Sequence, residues 1–167
     1  MQSITPKGLA DNFGSLRFFR FAPLVDLVSV DRPRSFEVHG PVNFQSGKDW
    51  LNGYASQDSI GLSIEGMEAA GGPFCRFSMS FFVPQLSIEN SRNFDEMVQH
   101  RFILDILDMN LKRRIVGDHR DGVAFKYSET SASQFAGRNG YNCTFYSDAV
   151  SVFYFLDGTF TPPVLGS

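Results

Sequence analysis

Cysteine and histidine, the residues that most often build metal centres and redox sites, are scarce in this sequence. Two cysteines and three histidines occur among 167 residues. Two thiols are too few for the disulfide framework of a small secreted domain or for a cysteine-rich zinc site. Cys75 and Cys143 fall inside strand-like stretches, so we expect buried, reduced thiols, with a disulfide as the less favoured alternative. We expect no cofactor.

Long apolar runs and excess charge are missing too. No run approaches the roughly 18 apolar residues that span a bilayer, and the first residues do not form a basic segment followed by an apolar one. The net charge is −3 and the isoelectric point is near 5.5, so we expect no broad basic surface for nucleic acid. These absences predict a soluble, cytoplasmic chain that contacts no membrane and recognises no specific nucleic acid.

The motifs of the common enzyme classes are also absent. The histidines form no HExxH pattern, Gly66–Gly72 lacks the GxGxxG spacing and the lysine of a phosphate-binding loop, and no serine has a GxSxG setting. Asp118, His119 and Asp121 place possible metal ligands close together, although loops of this composition are typical of solvated turns. We therefore expect a protein that is not an enzyme, with an unfamiliar site around Asp118–Asp121 as a distant alternative.

Phenylalanine is the residue that the sequence has in excess. It contains 18 Phe, and hydrophobic residues make up 43% of the chain, which is enough to bury a core in one domain of usual size. We expect a single domain over residues 1–167, with a possible N-terminal arm at 1–22 and an extended C-terminal tail at 157–167. The tail is predicted from Thr161-Pro162-Pro163, because proline cannot donate a ladder hydrogen bond.

The clearest strand pattern is Phe74–Val83, where Cys75, Phe77, Met79 and Phe81 face one way. Such alternation is typical of a strand with one face on the core. The other predicted strands are Leu24–Val30, Phe36–His39, Ile60–Ile64, Leu86–Ile88, Val123–Tyr127, Tyr141–Tyr146 and Ala149–Leu156. The first two are expected to pair across a turn at Asp31-Arg32-Pro33-Arg34, and the last two to form a hairpin around Ser147-Asp148.

One segment, residues 93–117, has the apolar spacing of a long helix. Asn93 can cap its first turn, with Glu96 in the position of a capping box, and Gly117 can end it in a left-handed conformation. At about 100° per residue, one charged stripe forms on an otherwise apolar surface, from Arg101, Asp105, Asp108 and Lys112. We therefore expect an α+β fold, a mostly antiparallel sheet with this helix packed on one face and strands before and after it.

A helix that is apolar over most of its circumference needs cover on more than one side. Since the sheet covers one side, we expect the N-terminal segment, the excursion around Trp50 or a neighbouring subunit to cover the rest. The expected interface residues are Leu16, Phe18, Phe19 and Phe21 of the arm, Arg101, Asp105, Asp108 and Lys112 of the stripe, and Pro162 and Pro163 of the tail.

The order of these elements resembles that of a known family. A strand ending in Phe82-Val83-Pro84 leads through a polar stretch with Asn90, Ser91 and Asn93 into the predicted helix ending near Gly117, and strands including Tyr141-Asn142-Cys143-Thr144-Phe145 follow. Over Phe74 to Phe155 this arrangement resembles the small tail-terminator, neck and tail-completion proteins of tailed bacteriophages. The resemblance implies a ring, often hexameric, that joins the tail tube to the head. It assigns no individual functional residue.

Two functions from different classes remain open. The first is a non-enzymatic structural protein of a virion, assembled in the host cytoplasm as a homo-oligomeric ring that contacts other structural proteins of the same assembly. The second is a module that binds a small apolar ligand in a pocket between the helix and the sheet. The expected lining of that pocket includes Phe77, Phe81, Phe102 and Phe125.

Overall fold

Antiparallel strand pairs dominate the computed structural model, which describes residues 16–30, 37–38, 41–56, 59–69, 72–109, 112–131, 139–150 and 152–155. Within these ranges the strands are β1 (Leu16–Pro23), β2 (Leu27–Val30), β3 (Glu37–Val38), β4 (Val42–Phe44), β5 (Leu51–Asn52), β6 (Gly61–Ala69), β7 (Gly72–Pro84), β8 (Arg101–Asp108), β9 (Arg113–Val116), β10 (Val123–Ser131), β11 (Asn139–Val150) and β12 (Val152–Phe155). The described helix is α1 (Ile88–Val98), and a 3₁₀ turn covers Leu24–Asp26. The expected α+β class is confirmed in this coarse form, a mostly antiparallel sheet with one helix.

The prediction of a long helix over residues 93–117 is wrong, because α1 ends at Val98 and strands follow it. The helix also begins earlier than predicted. The Ser87 hydroxyl accepts a hydrogen bond of 3.1 Å from the Asn90 amide, which is the contact of an N-cap. Leu86–Ile88, predicted as an edge strand, contains this cap instead.

Strand β8 takes the place of the middle of the predicted helix because its residues are buried on both faces. Phe102, Leu104 and Ile106 belong to the main core, whereas Ile103 belongs to a second core on the opposite face. All of residues 102–107 are buried. An unbroken apolar run is typical of a strand covered on both sides, and periodicity alone does not separate it from a buried helix.

A ten-stranded sheet forms the framework. Its strand order is β3-β12-β9-β8-β10-β11-β7-β6, with β1 paired to β8 and β5 paired to β1. The sheet curves strongly, since Phe19 of β1 packs on Phe81 of β7 with ring centroids 5.0 Å apart, and Phe21 packs on Phe145 of β11 at 5.6 Å. Strands that are not neighbours in the sheet therefore face each other across the core.

Two cores lie on opposite faces of β8. The main core, on the inside of the curve, consists of Leu16, Phe19, Phe77, Met79, Phe81, Val83, Phe94, Met97, Phe102, Leu104, Ile106, Val116, Val123, Phe125, Tyr141, Cys143, Phe145 and Val150. The smaller core contains Ala22, Val30, Ile103 and Ile115. A separate two-stranded ribbon of β2 and β4 covers this second core together with Trp50. The second apolar face of β8 is thus covered by segments of the same chain, which include Trp50.

Strand β7 contains the predicted strand Phe74–Val83, and its inward face is the predicted one. Phe77, Met79 and Phe81 are buried. Both cysteines are free, as expected; Cys75 is half-buried and Cys143 is buried. Burial raises the pKa of the Cys143 thiol to about 12.

Two of the other predicted pairings are wrong. Strand β11 runs from Asn139 to Val150 and pairs with β10, so there is no hairpin at Ser147-Asp148. Strand β3, inside the predicted Phe36–His39, pairs with β12, and the antiparallel partner of β2 is β4. The predictions made for residues 1–15 and 157–167, including those for Pro162 and Pro163, lie outside the described residues.

Candidate ligand-binding cleft

A cleft of about 460 Å³ lies between α1 and the curved sheet. Its apolar lining consists of Phe19, Phe21, Phe81, Val83, Pro84, Phe94 and Met97. Its polar lining consists of Asn52, Tyr54, Gln85, Asn90 and Asn93, with Gly53 between the first two. A concave surface with aromatic walls and a few hydrogen-bonding groups has the composition of a small-molecule site. We call it the amide cleft.

The helical spacing of α1 brings several of its side chains to the amide cleft. Asn90, Asn93 and Met97 are three and four positions apart, so they share one side of the helix. Phe94 and Met97 are buried, whereas Asn90 is half-buried and Asn93 is exposed. The helix thus supplies buried apolar groups together with more accessible carboxamides.

Strand alternation places the aromatic wall opposite the helix. Phe19 and Phe21 share one face of β1, and each packs against another ring of the main core. A close backbone approach fixes this wall, because the Gly53 amide donates a 3.0 Å hydrogen bond to the Phe19 carbonyl. A Cβ at Gly53 would lie 2.0 Å from the Phe19 ring, so any larger residue there would displace the ring that lines the cleft.

Gln85 lines the cleft in an unusual backbone conformation. Its φ is +68°, in the left-handed region that residues other than glycine rarely adopt. The backbone amide of Gln85 donates a 3.0 Å hydrogen bond to the backbone carbonyl of Asn139, and this bond holds the conformation in place. Such strain costs on the order of 1–3 kcal/mol and is concentrated at ligand sites and active sites.

Among the residues that the structure describes, none that lines the amide cleft carries a formal charge. Its polar side chains are four carboxamides and one phenol. Carboxamides both donate and accept hydrogen bonds, so they can satisfy hydroxyl, carbonyl and amide groups. An ion would lose hydration among the surrounding rings without a counter-charge in the lining. The lining therefore favours a neutral ligand.

Tyrosine hydroxyls hold α1 against the sheet. The buried Tyr141 hydroxyl accepts a 3.0 Å hydrogen bond from the Ser87 amide, and it lies 2.7 Å from the Ser91 hydroxyl. The Tyr127 hydroxyl donates a 2.6 Å hydrogen bond to Asp95. Two effects raise the pKa of Tyr127 to about 12. The larger is this hydrogen bond to the Asp95 carboxylate, and the second is burial. The helix that walls the cleft is thus pinned at its start and in its middle.

The predicted interface residues of the N-terminal arm lie in β1, within the chain's own sheet. Leu16 and Phe19 are buried in the main core, and Phe21 packs against that core and lines the amide cleft. Phe18 lies on the opposite face, where its ring is 5.9 Å from the Arg20 guanidinium. Their role in contacts with other chains stays a prediction.

The predicted charged stripe is not brought together on one surface. Arg101 and Lys112 are exposed, and Arg101 lies at the opposite end of β8 from Asp108. Asp108 forms an ion pair of 3.3 Å with Arg114. Asp105 is buried and binds two guanidinium groups, so its carboxylate does not face solvent. An interface role of these residues stays a prediction without the helix that suggested it.

A cleft lies between α1 and the sheet, although this helix differs from the predicted one, and only one of the four phenylalanines expected to line a pocket there does so. Of those four phenylalanines, Phe81 lines the amide cleft, Phe77 and Phe125 are buried in the main core, and Phe102 lines a neighbouring cleft. The carboxamides of Asn90 and Asn93 were not predicted to line a site, because the predicted helix begins later in the chain than α1 does. The signal that would have found them is the Ser87 cap followed by an amphipathic turn.

In the loop from Asp118 to Asp121, the Asp118 carboxylate binds backbone amides of the same loop. Asp118 Oδ1 accepts hydrogen bonds from the backbone amides of Arg120, at 2.6 Å, and Asp121, at 2.9 Å. Within the described ranges, no group of three or more His, Cys, Asp or Glu side chains is placed to hold a metal ion. This geometry is that of a side chain that stabilises its own turn.

No helix in the described part of the chain is long and apolar enough to cross a membrane. Comparison with protein-family models, curated proteins and solved structures finds no match for the sequence or the fold.

Proposed function

We propose that this chain is a non-enzymatic binding module that holds the uncharged, mainly apolar part of a small molecule in the amide cleft. The observation that carries the proposal is the combination of four phenylalanine rings with four carboxamides in a cleft of about 460 Å³. This volume lies inside the range of roughly 300–1,000 Å³ that is typical of small-molecule pockets. The rings provide apolar contact area and the carboxamides fix the orientation of polar groups on the ligand.

The rigidity of the cleft supports this function. Phe94 packs against Tyr141 with ring centroids 4.9 Å apart, and hydrogen bonds from Tyr127 to Asp95 and from Tyr141 to the Ser87 carbonyl fix the helix on the sheet. A site that is already formed loses less conformational entropy when it binds, which strengthens binding.

The chemistry of the lining is the reason that we propose binding without catalysis. The carboxamides neither take up nor release a proton near neutral pH, so they cannot serve as general acids or bases. The lining does offer hydrogen bonds to a polar group of a ligand, which supports binding and not catalysis.

A titration with Nile red, a neutral apolar dye, tests the proposal. We expect saturable fluorescence enhancement by the native protein. Replacing the exposed Asn93 by tryptophan should fill the cleft and weaken the dye's affinity by at least about tenfold. Val98→Trp is the matched control, because Val98 is exposed on the same helix and lines neither this cleft nor its neighbour. Equal loss in both variants, or no saturable binding by the native protein, would overturn the proposal.

The assembly role suggested by the resemblance to tailed-phage proteins is a second proposal. Its first support, a long helix with uncovered apolar sides, is gone. Exposed apolar side chains on the ribbon and the 3₁₀ turn, Val28 at 63% and Val25 at 64%, still favour contact with another chain. If the chain forms a ring, light scattering coupled to size-exclusion chromatography will give a multiple of 18.7 kDa. Replacing Val25 and Val28 by serine should then shift the mass toward the monomer.

A further inference from the structure

A second cleft, of about 430 Å³, adjoins the amide cleft. Phe21, Asn93 and Met97 line both clefts, so the two are parts of one groove that share a wall. The residues found only in the second cleft are Pro23, Val25, Asp26, Gly47, Lys48, Asp49, Leu51, Glu96, His100 and Phe102. We call it the acidic cleft, because carboxylates outnumber basic groups in its lining.

The groove follows the helix axis. Asn90 near the start of α1 lines the amide cleft, Asn93 and Met97 line both clefts, and His100 just beyond the helix lines the acidic cleft. The helix has 11 residues, which corresponds to about 16 Å at about 1.5 Å per residue. A ligand that contacts both clefts is therefore elongated.

The two ends of the groove differ in charge. Among the described lining residues, none in the amide cleft is charged, whereas the acidic cleft contains the carboxylates of Asp26, Asp49 and Glu96 and the ammonium group of Lys48, with His100 counted as neutral. Lys48 already pairs with Asp26 at 3.2 Å. This pairing leaves the other two carboxylates without a counter-charge among the described lining residues, so the acidic cleft attracts cations and repels anions.

Glu96 is the carboxylate most available to a ligand. Asp49 Oδ1 accepts a 2.7 Å hydrogen bond from the Trp50 amide. The Glu96 side chain is exposed on the groove side of α1, between Asn93 and His100. Apolar side chains line the same cleft, including Val25 and Leu51, which are 64% and 50% exposed. Exposed apolar groups next to a carboxylate suit an organic cation, whose hydrocarbon covers them while its charge faces the acid.

We propose that the ligand is an elongated small molecule with a neutral apolar body in the amide cleft and an organic ammonium group at the acidic cleft, close to Glu96. The proposal rests on the proposed binding function and adds the chemical class of the ligand. The uncharged lining at one end and the excess of carboxylates at the other, joined along one helix, are the observations that favour this class.

Three probes with ten-carbon chains separate the contributions of body and head group. These are decanol, decyltrimethylammonium and decanoate, each titrated calorimetrically below its micelle concentration at low salt. We expect the ammonium compound to bind at least about tenfold more tightly than decanol, and decanoate to bind more weakly than decanol. Added salt should reduce the difference between the two charged probes.

Glu96→Gln should cut the preference for the ammonium probe over decanol to less than about threefold and leave decanol affinity unchanged. Glu89→Gln is the matched control, because Glu89 is exposed on the same helix and lines neither cleft. Decanol binding without any preference for the ammonium probe would overturn this inference and leave the binding function standing. Failure of all three probes to bind would overturn both.

Discussion

Asp105 and Arg113 face each other across strands β8 and β9, with the Arg113 Nε donating a 2.8 Å hydrogen bond to Asp105 Oδ1 and its Nη2 donating one of the same length to Oδ2. Arg20 of β1 donates a further bond of 2.9 Å from its Nε. Asp105 is 1% exposed and is the only buried charged side chain among the residues that the structure describes. The ring of Trp50 lies 5.2 Å from the Arg20 guanidinium. This cluster therefore ties three strands together beneath the ribbon.

Replacing Asp105 by asparagine should lower the free energy of unfolding by about 3–5 kcal/mol, because two guanidinium groups would lose their shared anion in a largely buried place. Equilibrium unfolding in urea measures the change. Asp148→Asn is the control, since Asp148 is 87% exposed and lies 3.4 Å from Arg76. We expect that variant to lose less than about 1 kcal/mol. A loss at Asp105 no larger than the one at Asp148 would contradict a structural role for the cluster.

Gly117→Ala should also destabilise the fold, by more than about 1 kcal/mol. Gly117 has a φ of +92°, and a Cβ there would lie 2.7 Å from the Asp121 carbonyl oxygen. The backbone of the loop between β9 and β10 would have to shift. Gly66→Ala is the matched control, because a Cβ at Gly66 has no heavy atom within 4 Å. Thermal unfolding of both variants compares them, and equal midpoints would count against strain at Gly117.

Tyr127 should make the stability of the protein depend on pH in the alkaline range. Its pKa is raised from 10.0 to about 12, first by the hydrogen bond to Asp95 and then by burial. The folded protein keeps this proton where the unfolded chain loses it, so the stabilisation is complete below pH 10 and is lost as the pH rises toward 12. Ultraviolet absorbance of the phenolate should show a late titration step that belongs to Tyr127.

Tyr127→Phe should remove that late step and make the free energy of unfolding fall less steeply with alkaline pH. Tyr54→Phe serves as the control, because Tyr54 is 67% exposed. It should leave the late step in place. If the late-titrating tyrosine persists in Tyr127→Phe, the assignment to Tyr127 is wrong.

Local features of the sequence were enough to predict part of the fold. The alternation of Cys75, Phe77, Met79 and Phe81 predicted β7 and its buried face, because a strand in a half-exposed position must place every second side chain on the core. Gly117 was correctly predicted to be left-handed, although it belongs to a loop and not to a helix end. The mostly antiparallel α+β class followed from the grouping of strands along the chain.

Only the tertiary structure decided what residues 102–107 would become. An apolar run fits a buried helix as well as a central strand, and the choice depends on whether other segments cover both faces. Here β1 and β9 pair with β8, and the ribbon of β2 and β4 covers its second face. The contacts with β1 and with the ribbon come from segments that are distant in sequence. The same long-range contacts bury Asp105, bring Phe19 opposite α1, and join the two clefts into a groove, because a cavity is defined by walls that no local pattern encodes.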